Sequence, residues 1–294
     1  MFKGQGLIMR CFVVIMSVGL FFSAMILGHS AMAAGNIPVF VSIVPQKYFV
    51  KKIGGERVKV SIMVRPGASP ATYEPKPGQM VALSMSKIYY AIGVPFEKAW
   101  LKKIAAANPG LLVVHTENGI EKAPMRPDQA EGSKDPHVWL SPPLVMVQAR
   151  NILDALLKVD PKNASSYESN YRKFIVELVE LDAELRDVFS GQGKDIRFMV
   201  FHPAWGYFAR TYGLEMIPVE SEGKDPKPAA LRRLIEKARG HGIKVVFVQP
   251  EFSTKSAGTI AKAIRGQVVF ATPLAADWAN NLKQVAVKFK AALR

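Results

Sequence analysis

From about residue 37 onward, the chain alternates short apolar runs with segments of helical periodicity, and this alternation occurs twice. In the first half, β-rich runs are separated by segments in which apolar residues recur every three or four positions. The predicted strands are residues 39–44, 58–64, 88–92 and 111–115, and the predicted helices are residues 46–53, 78–85 and 97–107. Such alternation predicts a mostly parallel sheet covered by helices on both faces.

The second half of the chain repeats this pattern. Its predicted strands are residues 198–201, 215–219, 245–249 and 268–271, and its predicted helices are residues 205–212, 228–239, 256–264 and 277–293. The sequence therefore predicts an α/β fold with two doubly wound domains, each built on a mostly parallel sheet.

Between the halves, apolar residues form a single helical stripe with gaps of three and four from Tyr167 to Val188. Asp160 and Pro161 are typical of a helix start, and glycines follow the stripe. A helix over residues 164–189 would be roughly 39 Å long at 1.5 Å per residue. The pattern predicts one long rigid helix joining an N-terminal domain (34–142) to a C-terminal domain (193–294), within a linking helical segment at 143–192.

The first residues are typical of an export signal. Lys3 and Arg10 precede an apolar run, and Ala31-Met32-Ala33 supplies the small residues of a cleavage site. We interpret residues 1–33 as a cleaved signal peptide rather than a transmembrane anchor. Cys11 lies beside Arg10 at the start of the apolar run, which is the wrong place for a lipid anchor. The expected location is therefore the periplasm, without lipid attachment.

The net charge is strongly positive, with 39 Lys and Arg against 24 Asp and Glu. Without Lys3 and Arg10 the balance is 37 against 24, or +13. The basic residues are scattered among predicted helices, with no run of five and no interleaved aromatics. This pattern indicates solvated helix faces rather than a nucleic-acid partner. Because Cys11 is the single cysteine, any metal site after residue 33 must use His, Asp, Glu or water.

Five histidines occur, and two of them stand out. His29 lies in the predicted signal peptide, His241 lies in a turn, and His115 ends a predicted strand. His202 follows a predicted strand and precedes a helix, which places it where ligands bind in doubly wound sheets. His137 lies in a proline-rich loop near Asp135, a carboxylate that could fix its tautomer. Taken alone, His202 could equally be a ligand or a helix-capping residue. Together, the two histidines place one imidazole in each half, as a site between the two domains requires.

Four segments carry a resemblance to a known family: DPHVWLSP (135–142), FHPAWGYFAR (201–210), PGASPATYEP (66–75) and VQPEFS (248–253). With these, the chain resembles the zinc- and manganese-type solute-binding proteins of ABC transporters that have a helical backbone. The resemblance implies a metal held between two α/β domains by His137 and His202. Zinc is favoured over manganese or another divalent transition metal, because imidazole suits zinc and oxygen donors suit manganese.

Two positions depart from the family's ligand pattern. Ala71 stands where the family has its first histidine, and Thr272 stands where it has its final aspartate. Glu222 and Glu251 are the favoured replacements, because both follow predicted strands near the crevice. Glu220 and Glu74 are further candidates. For every one of these acids, an ordinary salt bridge or helix cap is the alternative.

The function expected from these features is that of a monomeric receptor, not an enzyme, which delivers a divalent metal to an ABC membrane permease. One alternative is a receptor for a metal chelate, whose own donors replace the missing side chains. Another is a zinc-dependent hydrolase. The chain has no G-x-S-x-G, H-E-x-x-H or P-loop pattern, which argues against the hydrolase. The segment 121–134 is expected to be an exposed loop, and it contains no histidine.

Overall fold

The computed structural model describes residues 36–125, 133–191, 196–220, 223–252 and 254–293. The predicted signal peptide (1–33) lies outside the described residues, as does the middle of the predicted loop 121–134. The two ends of that loop pair through an antiparallel bridge between Pro124 and Lys134. Within the described ranges, no helix is both long enough and apolar enough to cross a membrane.

The first half forms a sheet of four parallel strands in the order β2-β1-β3-β4. The register pairs Ile37 with Val58, Val39 with Ile88, and Ile88 with Leu112. Its elements are β1 (Ile37–Val41), α1 (Val44–Gly54), β2 (Val58–Ile62), α2 (Pro77–Ser84), β3 (Ile88–Ala91), α3 (Pro95–Ala107) and β4 (Leu112–His115).

The second half repeats this topology in the order β6-β5-β7-β8, again with every strand parallel. Its elements are β5 (Ile196–Val200), α6 (Gly206–Thr211), β6 (Leu214–Pro218), α7 (Pro228–Gly240), β7 (Val245–Val248), α8 (Lys255–Ala263), β8 (Gln267–Phe270) and α9 (Trp278–Ala292). The predicted pair of parallel-sheet α/β domains is confirmed.

Two helices connect the halves, α4 (Pro142–Val159) and α5 (Ala164–Phe189). The 26-residue α5 has the bounds that the apolar stripe predicts. Asp160 begins a short 3-10 turn rather than α5 itself, and its carboxylate accepts hydrogen bonds from Asn163 and the Tyr167 hydroxyl, both at 2.6 Å. These bonds fix the corner between α4 and α5.

The buried stripe of α5 belongs to a hydrophobic core that includes residues of both sheets. The C-terminal helix α9 contributes to the same core from its two ends. The indole of Trp278 packs edge-on against Phe49 at 4.9 Å, and the ring of Phe289 lies 4.3 Å from that of Phe198. The helix therefore packs against the first half of the chain as well as its own. The limits 34–142, 143–192 and 193–294 stay a prediction.

One predicted strand ends earlier than expected. The run 39–44 predicts a strand through Val44, whereas β1 ends at Val41 and α1 begins at Val44. Pro45 explains the difference, because its fixed φ suits the first turn of a helix and it has no amide hydrogen to donate within a sheet. The chain thus turns from strand to helix directly above the end of β1.

Candidate metal site

His202 lies two residues beyond β5, at the carboxyl edge of the second sheet. Phe201 continues the strand pairing by donating its backbone N–H to the Phe247 carbonyl at 2.7 Å. Gln249 then holds the backbone of His202 from both sides. Its Oε1 accepts from the His202 N–H at 3.3 Å, and its Nε2 donates to the His202 carbonyl at 2.9 Å. This clamp places the imidazole over the switch point between β5 and β7.

His137 lies in the loop between β4 and α4, immediately before a 3-10 turn (Val138–Leu140). Asp135 accepts hydrogen bonds from the His137 backbone N–H at 2.9 Å and from its Nδ1 at 2.7 Å. Two indoles anchor the following turn: Trp139 donates to the Pro273 carbonyl, and Trp278 donates to the Trp139 carbonyl, both at 2.8 Å. A loop from the first half is thereby fixed against the C-terminal part of the chain.

The two imidazoles face each other, with His137 Nε2 and His202 Nε2 3.4 Å apart. Zinc binds histidine nitrogen at about 2.0–2.1 Å in tetrahedral geometry. Two such bonds at a tetrahedral angle place their nitrogens about 3.3–3.4 Å apart. The observed separation therefore equals the spacing of two imidazole ligands on one tetrahedral zinc ion.

A buried carboxylate lies behind each imidazole. Asp135 contacts Nδ1 of His137 at 2.7 Å, and Glu220 contacts Nδ1 of His202 at 2.6 Å. Because a carboxylate can only accept, each Nδ1 carries the proton and each Nε2 presents a lone pair to the other ring. Burial lowers the pKa of His202, although the hydrogen bond that its Nδ1 donates to Glu220 opposes this effect. Two converging lone pairs are suited to a shared cation.

The space beside the two histidines is a pocket of about 60 Å³ with mostly apolar walls. The Phe252 ring stacks on the His202 imidazole, with centroids 4.8 Å apart and planes 19° apart. Glu251 lines the same pocket, and burial raises the pKa of its carboxyl group while the nearby His202 opposes that shift. Pro70 and Ala71 form part of the opposite wall.

The family model of ZnuA, the periplasmic component A of zinc-uptake complexes, matches residues 39–292. The chain belongs to this family. It is 26% identical over 281 residues to the high-affinity zinc uptake system protein ZnuA of Bacillus subtilis (strain 168), which covers 90% of this chain and 86% of that protein.

Two solved structures are more similar to the chain. A crystal structure of ZnuA is 42% identical with a TM-score of 0.84, and covers 88% of this chain and 100% of that one. A zinc-bound deletion mutant of ZnuA is 43% identical with a TM-score of 0.83, and covers 88% of this chain and 98% of that one.

Within this ZnuA-type fold, the predicted site residues separate into two groups. His137, His202 and Glu251 line one pocket, as does the altered position Ala71. Glu222 lies outside the described residues. Within the described ranges, no three His, Cys, Asp or Glu residues lie close enough together to hold a metal ion, so Glu251 does not join the histidines as a third ligand in this conformation.

The other candidates lie away from the metal-facing side. Glu220 is buried behind His202 and orients its ring instead of facing the pocket. Glu74 is exposed and outside the pocket lining, and Lys76 rather than Glu74 occupies the N-cap position of α2. Thr272 also lies outside the lining, where its hydroxyl accepts the Leu274 N–H at 3.2 Å.

The remaining two histidines of the described chain are surface residues, in agreement with their predicted roles. His115 contacts Glu117 at 3.2 Å, and His241 contacts Arg197 at 3.4 Å. Sequence reasoning did not identify Gln249 as the clamp of His202. The available signal was its position directly after β7, the neighbour of β5.

Proposed function

We propose that this protein is a periplasmic receptor that binds a divalent transition metal, zinc in preference, and delivers it to an ABC import permease. The observation that carries the proposal is the 3.4 Å separation of His137 Nε2 and His202 Nε2. Membership of the zinc-uptake component A family supports delivery to a membrane partner. We further propose that the receptor works as a monomer, without nucleic acid.

Zinc is the preferred cargo because the two converging donors are imidazole nitrogens, which suit zinc better than manganese. A similar structure, the 43% identical ZnuA deletion mutant, has zinc bound. Manganese remains a weaker alternative cargo, since it prefers carboxylate, carbonyl and water ligands. The two outer carboxylates, Asp135 and Glu220, increase the basicity of the imidazoles toward the metal.

Glu251 is the proposed third ligand. It lines the pocket that contains both histidines, and the nearby His202 opposes the rise that burial gives to the pKa of its carboxyl group. A change of side-chain rotamer would bring the carboxylate to the metal. Glu222, which follows β6 and lies outside the described residues, is the alternative third ligand.

A receptor role requires export, and we propose that residues 1–33 are removed as a signal peptide to release a protein without a lipid anchor. A binding role is favoured over catalysis because both histidines have their Nδ1 atoms engaged by carboxylates and their Nε2 atoms directed at one point. Among the described residues, the hydrogen-bond partners of the two rings are carboxylates and the other imidazole, not a Ser or Thr hydroxyl.

The test is calorimetry on metal-stripped protein comprising residues 34–294, titrated with zinc and with manganese. Zinc should bind more tightly, and His202→Ala should weaken zinc binding at least about 100-fold, more than the loss of an outer-shell partner typically costs. His115→Ala is the matched control, because this histidine is surface-exposed and paired with Glu117. Equal zinc affinity in His202→Ala and wild type would refute the assignment.

A further inference from the structure

The two carboxylate oxygens of Asp135 have different surroundings. Oδ1 accepts both hydrogen bonds from His137, at 2.9 Å from the backbone N–H and at 2.7 Å from Nδ1. Oδ2 faces α6 of the second half, where the guanidinium of Arg210 lies 3.9 Å away. Because the two oxygens belong to one rigid carboxylate, a displacement of Oδ2 also displaces Oδ1 and the His137 ring that is bonded to it.

Gly206, the first residue of α6, approaches Oδ2 closely. A β-carbon added at position 206 would lie 2.9 Å from Asp135 Oδ2, which is shorter than an ordinary van der Waals contact. The φ of Gly206 lies outside the left-handed region, so the carboxylate, and not the backbone conformation, excludes a side chain here. Any residue larger than glycine would therefore push Asp135 away from α6.

Tyr207, the next residue of α6, fixes the backbone on which Asp135 stands. Its hydroxyl accepts the Ala123 N–H and donates to the Asp135 carbonyl, both at 3.1 Å. Ala123 and Asp135 are also bonded to each other, since the Asp135 N–H donates to the Ala123 carbonyl at 2.8 Å. One buried side chain of the second half thus holds the loop that leads to His137.

Arg210 contributes less to this contact. Its guanidinium lies over the Tyr207 ring, 4.5 Å from the centroid, as well as 3.9 Å from Asp135. The Arg210 side chain is 47% exposed, so solvent screens its attraction to the carboxylate. The position of Asp135 therefore depends mainly on the close approach of Gly206 and on the hydrogen bonds of Tyr207.

The segment that makes these contacts also contains the other imidazole. His202 precedes α6 by a short turn, in which the Ala204 N–H donates to the His202 carbonyl at 2.8 Å. The distance of 3.4 Å between the two Nε2 atoms is thus linked on both sides to residues 202–210. A shift of Asp135 relative to this segment would change that distance.

We propose that Gly206 and Tyr207 are positioning residues for His137 that act through Asp135, so that residues 202–210 set the spacing of both imidazoles. His202 belongs to this segment, and His137 is attached to it although it comes from the first half of the chain. This inference rests on the proposed function, because zinc affinity is one of its readouts. Its consequence is that substitutions which touch neither imidazole change the affinity for zinc.

The test is a double-mutant cycle on metal-stripped protein comprising residues 34–294, with zinc affinity measured by calorimetry. Gly206→Ala should weaken zinc binding about 10–100-fold, the range typical for the loss of an outer-shell partner. In an Asp135→Ala background, the same substitution should change the affinity by no more than about twofold, because no carboxylate is left to displace. Gly258→Ala in α8 is the matched control, since a β-carbon there would have nothing within 4 Å.

Tyr207→Phe tests the second contact. Removal of its hydroxyl should weaken zinc binding about three- to tenfold, as expected for lost hydrogen bonds. Tyr212→Phe is the control, because it removes a hydroxyl that donates to Asp182 of α5 at 3.1 Å and should leave zinc affinity unchanged. Equal losses of affinity in the two variants would show a general structural effect and would overturn the role of Tyr207.

A measurement without metal separates this inference from the proposed function. In metal-free wild type, the Nδ1–H that His137 donates to Asp135 should give a proton NMR signal protected from solvent exchange, assigned by its loss in His137→Ala. Gly206→Ala should lose this signal, and Gly258→Ala should keep it.

Two outcomes would overturn the inference: an unchanged signal in Gly206→Ala, or a loss of zinc affinity in Gly206→Ala that persists in the Asp135→Ala background. Zinc binding that is indifferent to His202→Ala would overturn the proposed function instead. In that case the signal of the metal-free protein would still decide whether α6 positions His137.

Discussion

The two sheets have the same strand order, but the polar side chains at their carboxyl edges have different roles. Above the first sheet, buried polar groups satisfy one another. Glu97 accepts hydrogen bonds from the Ser42 hydroxyl and from the backbone N–H groups of Ile92 and Gly93. Gln46 accepts from the Ser42 N–H and donates to the Ala91 carbonyl. These hydrogen bonds close the edge among the described residues.

Above the second sheet, the corresponding polar groups are directed into a pocket. His202 is clamped through its backbone by Gln249 and through its Nδ1 by Glu220, which leaves Nε2 free to face His137. The side chain of Glu251 lines the same space.

The comparison shows that the strand order creates a possible ligand site at the carboxyl edge of each sheet. The side chains at that edge decide whether the space is closed or open to a ligand. Glu97 and its partners occupy the first edge, and the first half reaches the metal site through the loops that contain Ala71, Val94 and His137. A rigid frame, α5 with its shared core, keeps those loops aligned with the second edge.

The largest expected effect comes from opening the closed edge with Glu97→Ala. The Ser42 hydroxyl and the two backbone N–H groups would lose their buried acceptor, and the free energy of unfolding should fall by about 3 kcal/mol or more. Zinc affinity should remain within about twofold, as this carboxylate does not face the pocket. Urea unfolding and calorimetry measure the two quantities, and the exposed Glu56→Ala serves as the control.

The effect of Glu97→Ala should also depend on pH. Burial raises the pKa of Glu97 from 4.5 to about 6. The folded protein therefore binds this proton more tightly than the unfolded chain, so the contribution of Glu97 to stability is greatest below pH 4.5 and declines as pH rises through 6. The loss of stability should be larger at pH 4.5 than at pH 7, by up to about 2 kcal/mol. A loss independent of pH would contradict this account.

A smaller effect is expected from removing the carboxylate behind His202. Glu220→Ala should weaken zinc binding about 10–100-fold, which is typical for the partner of a metal-binding histidine. Glu220→Gln should lose less, because its amide oxygen can still accept the Nδ1–H. Glu220→Ala and Glu97→Ala form a matched pair, since the first carboxylate is expected to govern zinc affinity and the second stability. Calorimetry showing equal zinc affinity in Glu220→Ala and wild type would break the comparison.

The smallest expected effect is the change in zinc affinity between two neighbouring pH values. Burial lowers the pKa of His202, so protonation of this imidazole should weaken zinc binding at a lower pH than for an ordinary histidine. Once His202 is protonated, zinc affinity should fall about tenfold per pH unit. Competition titrations at half-unit intervals would measure this, and a fall beginning near pH 7.5 would contradict the assigned direction.

Much of the fold followed from local patterns along the chain. The bounds of α5 match the apolar stripe because a helix of that length is defined by its own periodicity. The predicted end of β1 was wrong because the apolar run extends to Val44, which together with Pro45 already belongs to the first turn of the helix. Apolar runs alone do not distinguish the end of a strand from the first buried turn of the next helix.

Less of the candidate site than of the fold could be predicted from the sequence. His137 and His202 could be selected because few histidines exist and these two stand at loop positions in opposite halves. The role of Glu220 could not be separated from those of Glu222 and Glu251. All three follow strands of the same sheet, and only side-chain direction distinguishes an outer-shell carboxylate from a pocket-facing one.

By itself, the sequence determined which segments form strands and helices, that the two halves are alike, and that each half contributes one imidazole. These properties depend on neighbours a few residues apart, where periodicity and turn chemistry operate. Only the tertiary structure decided that the two Nε2 atoms lie 3.4 Å apart, that Glu220 lies behind His202, and that α9 packs against Phe49. Those distances join residues tens to hundreds of positions apart, and they are set by how the shared core packs.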